Sequence, residues 1–456
     1  MSLVDLTLIR KYNVNGPRYT SYPTALQFAE FDQQQYEAAI ANSPRRDQPI
    51  SLYFHIPFCS TLCYYCACSK IVTRDKKKGV RYVDYLKREI DLQATYYKGR
   101  QVTQLHWGGG TPTFLSDEQI ADLMAYIGER FDLAPDEERE FGIEVDPRTV
   151  DADRIHAIRR AGFNRLSLGI QDFQPEVQKA VNRVQSFEAT KEVIDAARDA
   201  GFKSISVDLI YGLPHQTMAT IANTLKQVIE LSPDRISIYN YAHLPQRFSP
   251  QQRINVVDLP DADHKLRILK QCIDMLTLSG YQFIGMDHFA KPTDELAVAQ
   301  REGTLHRNFQ GYSTHADCDL VAMGITGISN VGNTYSQNAK TMEEYEAALD
   351  EGRLPIVKGV SIDDDDLVRK AVIMKLICHF GVSFAEIENQ FGIHFAEYFA
   401  PELKSLQAME DDGLVEIDDT GILVTNHGRL LIRNVCMAFD RHLNPAVQSS
   451  SFSKAI

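Results

Sequence analysis

The sequence predicts an α/β protein: an incomplete (β/α)6 TIM-like barrel with a small, mainly helical, winged-helix-like region at its C-terminus. Three observations predict it. Between residue 50 and about residue 280, short apolar, β-branched or aromatic runs alternate with longer amphipathic stretches, the signature of βαβ units and a parallel sheet. The runs number six, short of the eight that close a barrel. Beyond about residue 360 the rhythm changes to helical periods and one hairpin-like alternation. At 456 residues the chain is too long for one ordinary core, so a large region plus a smaller one is expected.

Residues 1–35 read as an arm: "GPRYTSYPTALQF" (16–28) has little helical period and is rich in Pro and Tyr. The catalytic region is placed at 36–360. Its strand-like runs are "SLYFHI" (51–56), "TQLHW" (103–107), "FGIEV" (141–145), "RLSLGI" (165–170), "SISVDLI" (204–210) and "RISIYN" (235–240). Between them, "RYVDYLKREIDLQATYY", "SDEQIADLMAYIGERF" and "DADRIHAIRRAG" repeat apolar residues at three and four positions, as amphipathic helices do. "SDEQ" at 116–119 opens one with a capping box. The C-terminal region, 361–456, opens with the acidic run Asp363 to Asp366, which reads as a helix cap because carboxylates suit helix N-termini. Helical stretches, "GLVEIDDTGILVT" (413–425) and "GRLLIRNVCMAF" follow, the pattern of a winged helix. With 15 acidic and 8 basic residues, a net of −7, this region is a poor duplex binder and reads as a lid or support.

The whole chain carries a net charge of −13, which argues against nucleic acid as partner. Its start, "MSLVDLTLIRKYN", lacks a signal-peptide core, and no apolar run is long enough to cross a bilayer. A cytoplasmic location and a monomer are expected. In a reducing compartment, clustered cysteines point to a metal or catalytic site rather than disulfides. Four of the eight cysteines, Cys59, Cys63, Cys66 and Cys68, fall within ten positions. Cys272, Cys378 and Cys436 lie in helix-like apolar stretches and read as small buried hydrophobes.

Chemistry in parallel barrels gathers at the C-terminal ends of the strands, so the six exits carry the functional reading. The first runs into the cysteines. The others run into "GGGTP" (108–112), Glu144 and Asp146, "GIQDF" (169–173), "DLIYGLP" (208–214) and "NYAHLP" (240–245). Four close thiols suit either structural zinc, with His55 available as well, or an iron–sulfur cluster. Zinc sites usually pair cysteines from two separated knuckles, whereas here one loop holds all of them. Cys59, Cys63 and Cys66 can take three corners of one cubane. Cys68, one residue beyond Cys66, cannot easily reach a fourth and reads as a non-ligand, leaving one iron open to a small molecule.

Cys-x3-Cys-x2-Cys at the first exit followed by Gly-Gly-Gly-Thr-Pro at the second is similar to the radical S-adenosylmethionine enzymes. The finer resemblance is to their oxygen-independent coproporphyrinogen III oxidase branch. It is carried by Cys68, "GPRYTSYPTA", "LHWGGGTPT" (105–113), "IEVDPR" (143–148), "RLSLGIQDFQPEVQKAVNR" (165–183), "DLIYGLPHQT" (208–217), "NYAHLP" and "GMDHFA" (285–290), and spans essentially the whole chain. The resemblance implies a [4Fe-4S] cluster whose open iron holds S-adenosylmethionine. Its reductive cleavage gives methionine and a 5′-deoxyadenosyl radical. The radical takes hydrogen from the propionate side chains of coproporphyrinogen III. Two decarboxylations then leave the vinyl groups of protoporphyrinogen IX, in haem synthesis. Whether a second S-adenosylmethionine binds, and which electron donor and acceptor serve, the sequence leaves open.

The resemblance also implies roles. Cys59, Cys63 and Cys66 are the cluster ligands. Gly109, Gly110 and Thr111 meet the methionine part of the cofactor, and Glu144 the ribose hydroxyls. Gln171, Arg183, Asp208, Ala242 and Ile328 complete the cofactor contacts. Tyr53 faces the site from the first strand, acting with Glu144 in the catalytic set, and Tyr65 packs on the adenine. Many relatives carry Phe and Gly where this chain has Tyr65 and Ala67, mild changes both. Four propionates need cationic partners, and Arg18 in the arm and Arg307 in "LHRNFQGY" are the candidates, with the arm closing on substrate. Two other readings stay open: a haem carrier of the sister branch, and a zinc-stabilised interaction module.

Overall fold

The alternating runs become strands because both of their faces are covered. In a computed structural model, which describes residues 5–316, 318–443, 452 and 454, the six are Ile50–Ile56 (β1), Gln101–Gly109 (β2), Glu140–Val145 (β3), Arg165–Gln171 (β4), Ser204–Tyr211 (β5) and Arg235–Asn240 (β6). Six of the seven β1 residues are buried, which explains a continuous apolar run where a half-exposed strand would alternate. β1 to β6 pair side by side in sequence order, all parallel. The registers Tyr53↔His106 and Glu144↔Ser167 put the functional candidates of neighbouring strands level.

The helices between them cover the sheet with one apolar stripe each. They include Lys77–Ala94 (α1), Asp117–Arg130 (α2), Ala152–Arg160 (α3), Phe187–Asp199 (α4) and Met218–Leu231 (α5). α1 buries Tyr82, Val83, Leu86 and Ile90, the three-and-four spacing of a helix face. The capping box at Ser116 forms as the sequence predicts, with Ser116 and Gln119 bonding each other's backbone amides. Burial of each Ile, Leu or Phe side chain contributes roughly 1.5–3 kcal/mol. The largest core side chain is Trp107 of β2, which packs edge-on against Phe163.

One addition was not read from the sequence. Asp319–Met323 (β7) pairs parallel to β1 on the side away from β2, and Ile328–Val331 (β8), Thr334–Asn338 (β9) and Ile356–Ser361 (β10) continue the sheet antiparallel. A short strand at Ala29–Glu30 ends it. The chain separates into two compact units: residues 28–261 with the segment up to 361 that carries β7 to β10, and residues up to 27 with 262–316 and the region from 362 onward.

In that second unit, Asp364–His379 (α6) is capped by Asp363, whose carboxylate accepts from the Asp366 amide. Arg441 pairs with Asp363, Asp365 and Asp366 at 2.5, 2.7 and 2.9 Å. The acidic run therefore caps and anchors. A three-stranded antiparallel sheet, Gly381–Ser383 with Gly421–Val424 and Val415–Ile417, supplies the wing. Cys272, Cys378 and Cys436 are fully buried there. The arm is packed: Tyr19 and Tyr22 are buried, with the Tyr19 hydroxyl donating to Asp440.

Candidate active site

At the exit of β1 the chain makes a two-residue strand, Phe58–Cys59, paired parallel to Ile71–Val72. The loop between them holds the cysteines and is tethered on every side. The Ile71 and Thr73 amides donate to Pro57 and Cys59 carbonyls at 2.7 and 2.9 Å. The Tyr64 amide donates to the Val181 carbonyl at 3.0 Å. Asn182 donates to the Leu62 carbonyl at 2.8 Å, Gln251 to that of Tyr65 at 3.1 Å, and Lys70 to that of Cys66 at 3.0 Å.

Inside the loop lies a cavity of about 170 Å³. Its lining brings together Cys59, Cys63, Cys66, Cys68, Tyr65, Gly109, Gly110, Thr111, Glu144, Gln171, Arg183 and Asp208, contributed by the exits of β1 to β5. Tyr53, Ala242 and Ile328 do not line it. The Tyr53 hydroxyl meets His55 Nδ1 at 3.1 Å, and its ring stacks on His106 with centroids 6.1 Å apart. Arg18 and Arg307 belong to the other compact unit. There the Arg18 guanidinium pairs with Asp287, and Arg307 Nε donates to the Arg18 carbonyl at 3.4 Å.

The glycines work by closeness. A Cβ on Gly109, whose φ is +111°, would sit 2.5 Å from the His55 ring. On Gly169 it would meet the Gln171 amide at 2.8 Å and the Arg183 guanidinium at 2.9 Å. Gly109 N–H donates to Glu144 Oε2 at 3.2 Å, and His106 Nε2 meets Oε1 at 3.3 Å. Burial raises the Glu144 carboxyl, but His106, the Gly109 amide and His55 outweigh it and hold it below the ordinary range. Asp208 goes the other way: burial first, then the Glu144 charge, push it up to about 7. Two neighbouring carboxyls are thus pushed in opposite directions.

Asp146 and Arg148 also line the cavity, and neither was singled out as a site residue from the sequence. The signal was present, since both stand in "IEVDPR" at a strand exit. Asp146 accepts from Arg148 Nη2 at 2.6 Å and from Arg183 Nη1 at 3.2 Å. Both guanidinium groups also reach Cys63 Sγ, each at 3.6 Å. The Thr111 hydroxyl lies 3.5 Å from Cys59 Sγ. A hydrogen bond with Cys68, aided by Lys70, draws the Cys66 thiol down to about 6.

These residues fit an iron–sulfur cluster. Cationic donors aimed at a sulfur suit a thiolate ligand, and hydrogen bonds to ligand sulfurs are a standard feature of such clusters. Among the described residues, no three His, Cys, Asp or Glu side chains converge on one metal ion. A cubane makes no such demand, because each thiolate takes its own iron. The Arg183 Nε is buried without a hydrogen-bond partner.

Residues 53–228 match the Radical SAM superfamily, and residues 362–431 match the HemN C-terminal domain. The chain is 52% identical to an oxygen-independent coproporphyrinogen III oxidase of Escherichia coli, over 99% of this chain and 98% of that one. The chain belongs to the oxygen-independent coproporphyrinogen III oxidase family. A relative of the same name in Pseudomonas aeruginosa is 50% identical over 99% of this chain and 98% of its own. The solved structure described as "Coproporphyrinogen III oxidase (HemN) from Escherichia coli is a Radical SAM enzyme" superposes with a TM-score of 0.92 at 51% identity, covering 96% of this chain and 99% of that one. Family membership brings a [4Fe-4S] cluster and S-adenosylmethionine as cofactors and makes the chain a radical enzyme of the oxidoreductase class.

Proposed function

We propose that this chain decarboxylates two propionate side chains of coproporphyrinogen III to vinyl groups without oxygen, giving protoporphyrinogen IX for haem synthesis. The observation that supports it most is the cavity itself: three cysteines of one loop and the polar exits of four further strands, in a chain matched end to end by relatives of this activity. Cys59, Cys63 and Cys66 hold the cluster. When bound, the cluster and S-adenosylmethionine supply the reductive cleavage that starts hydrogen removal from a propionate.

The chain's own residues bind, orient and exclude water. Glu144, ionised, accepts from ribose hydroxyls in exchange for its present bonds to His106 and Gly109. Arg183 offers its guanidinium to a cofactor carboxylate, as a planar guanidinium is built to do. Gln171 and Asp208 line the wall beside it, Tyr65 faces the adenine, and Gly109, Gly110 and Thr111 border the methionine end. Tyr53 holds His55 and His106 in place behind Glu144, with Ala242 and Ile328 as outlying cofactor contacts. Arg18 and Arg307 take substrate propionates. Residues 36–360 carry the chemistry, and the arm and the 361–456 region support it.

The chain works as a monomer in the cytoplasm with an electron donor and an electron acceptor. Its exposed large apolar side chains are few and all eight cysteines are unpaired, as suits a single chain in a reducing compartment. Anaerobic reconstitution with iron and sulfide, followed by assay of methionine and carbon dioxide release, tests the proposal. Release of carbon dioxide only with coproporphyrinogen III is expected. Stoichiometric haem binding without decarboxylation would indicate a carrier, and a colourless zinc protein would end both readings.

A further inference from the structure

In a chain of net charge −13, residues 70–81 hold six basic residues against one acid. Arg74, Lys76, Lys77, Lys78 and Arg81 are exposed, and Val72 and Val80 between them are 44% and 51% exposed. The acid is already used: the Asp75 carboxylate accepts from the Lys77 amide at 3.0 Å. Arg81 pairs with Glu346, whereas Arg74, Lys77 and Lys78 have no ion pair among the described residues.

The fold does not ask for this charge. Lys76, Lys77 and Lys78 crowd the start of α1, where the helix dipole favours acids. α2 follows the ordinary preference with Asp117 and Glu118 in its first turn. Like charges at that end cost stability, and among the described residues no acid pairs with Lys77 or Lys78. The run is also fastened to the cluster loop. Ile71–Val72 pairs with Phe58–Cys59, the Thr73 amide donates to the Cys59 carbonyl, and Lys70 bonds the Cys66 carbonyl. Exposed cations mixed with exposed valines, one hydrogen bond from a cluster ligand, describe a surface for an acidic macromolecule that must come close to the cluster.

We propose that residues 70–81 are the docking surface for a small acidic one-electron carrier protein that reduces the cluster. The inference rests on the cluster reading of the cavity given above. One electron leaves the reduced carrier and enters the oxidised cluster, and the carrier departs one electron poorer. Each cleavage of S-adenosylmethionine consumes one such electron. Opposite charges steer this encounter and screen with salt, and the valines give the contact an apolar centre.

The test uses the full-length, reconstituted protein and its triple variant Arg74→Glu/Lys77→Glu/Lys78→Glu. Cluster bleaching is followed anaerobically with reduced flavodoxin, an acidic flavoprotein, and separately with dithionite. The flavodoxin rate should fall about tenfold or more in the variant, as should the wild-type rate on going from low to high salt. The dithionite rate should hold, and the variant's thermal midpoint should hold or rise because acids now begin α1. Equal flavodoxin rates in variant and wild type would overturn the proposal, as would a wild-type rate indifferent to salt. So would preferential binding of heparin through the same residues without competition from flavodoxin. A wild-type protein that dithionite cannot bleach would instead fail the cluster reading, and the docking surface with it.

Discussion

The two ends of the parallel sheet treat buried charge in opposite ways. At the foot, Asp319 begins β7 with no exposed surface on its side chain, and every partner it needs is in reach: Arg45 at 3.1 Å, Arg100 at 2.9 Å, the Ser43 hydroxyl and the Gly332 amide. Burial raises its carboxyl, but Arg45, the Gly332 amide and Arg100 more than reverse that and leave it below the ordinary value. At the rim, Glu144 has longer bonds, Asp208 is raised beside it, and a guanidinium nitrogen of Arg183 has no partner. At the foot the fold satisfies Asp319 completely. The rim leaves its own charges partly unsatisfied, in the arrangement a ligand completes.

The comparison breaks most sharply on the cysteines. Cys59→Ser, Cys63→Ser or Cys66→Ser should each abolish cluster assembly while leaving the foot and the overall stability intact. Cys68→Ser should retain the cluster. Iron content and visible absorption after reconstitution check it, and a colourless Cys68→Ser beside a brown Cys66→Ser would reverse the assignment.

Next in size is a foot substitution. Asp319→Ala leaves Arg100, with an 8% exposed side chain, without its buried partner. A loss of about 3–5 kcal/mol is expected, read as a lower midpoint in denaturant, with cluster spectrum unchanged in the folded protein. A rim substitution should do the reverse: Glu144→Ala should keep stability but weaken S-adenosylmethionine binding about tenfold, for a charge-assisted bond of about 1.5–3 kcal/mol. Calorimetric titration decides, and unchanged affinity would mean that Glu144 serves another role.

The carboxyls should also separate by pH. Asp208, raised to about 7 from 3.8, supports the fold fully below 3.8 and loses that contribution as pH climbs through 7. Asp208→Asn should therefore gain stability over the parent by roughly 1–3 kcal/mol more at pH 8 than at pH 5. Asp319, held low, contributes above 3.8 and loses its part only in acid. Equal parent–variant differences at both pH values would remove Asp208 from the argument.

The smallest effect concerns the second guanidinium at Cys63. Arg148→Met should lower the cluster's reduction potential by tens of millivolts, where 59 mV is a factor of ten for one electron. Redox titration followed by electron paramagnetic resonance measures it. An unchanged potential would leave Arg183 as the sole cation acting on that sulfur.

The rim was legible in the sequence because each strand announces itself by a buried apolar run and ends at residues a packing strand does not need. The cysteine spacing favoured a cluster over zinc, and the resemblance to the radical S-adenosylmethionine motif supplied the chemistry. The Cys63 environment was not legible, since Arg148 meets that sulfur across 85 residues of chain, a long-range result with no local pattern. β8 to β10 were missed because "ISNV", "TYSQN" and "IVKGVS" are too polar to read as sheet. The association of 262–316 with the arm and the C-terminal region depends on tertiary packing that no periodicity encodes. Tyr53, Ala242 and Ile328 lie outside the cavity lining, where motif matching alone had placed them together with the rest.

The tethering of the cysteine loop has a consequence for how the fold bears the loss of a ligand. Six hydrogen bonds to backbone carbonyls, none from a thiol, already hold residues 57–73 in shape. In metal-nucleated domains the ion supplies the folding free energy, and the empty chain is a coil. Here the loop also draws its shape from bonds that the cluster does not make, so loss of one cluster ligand should leave the surrounding fold in place.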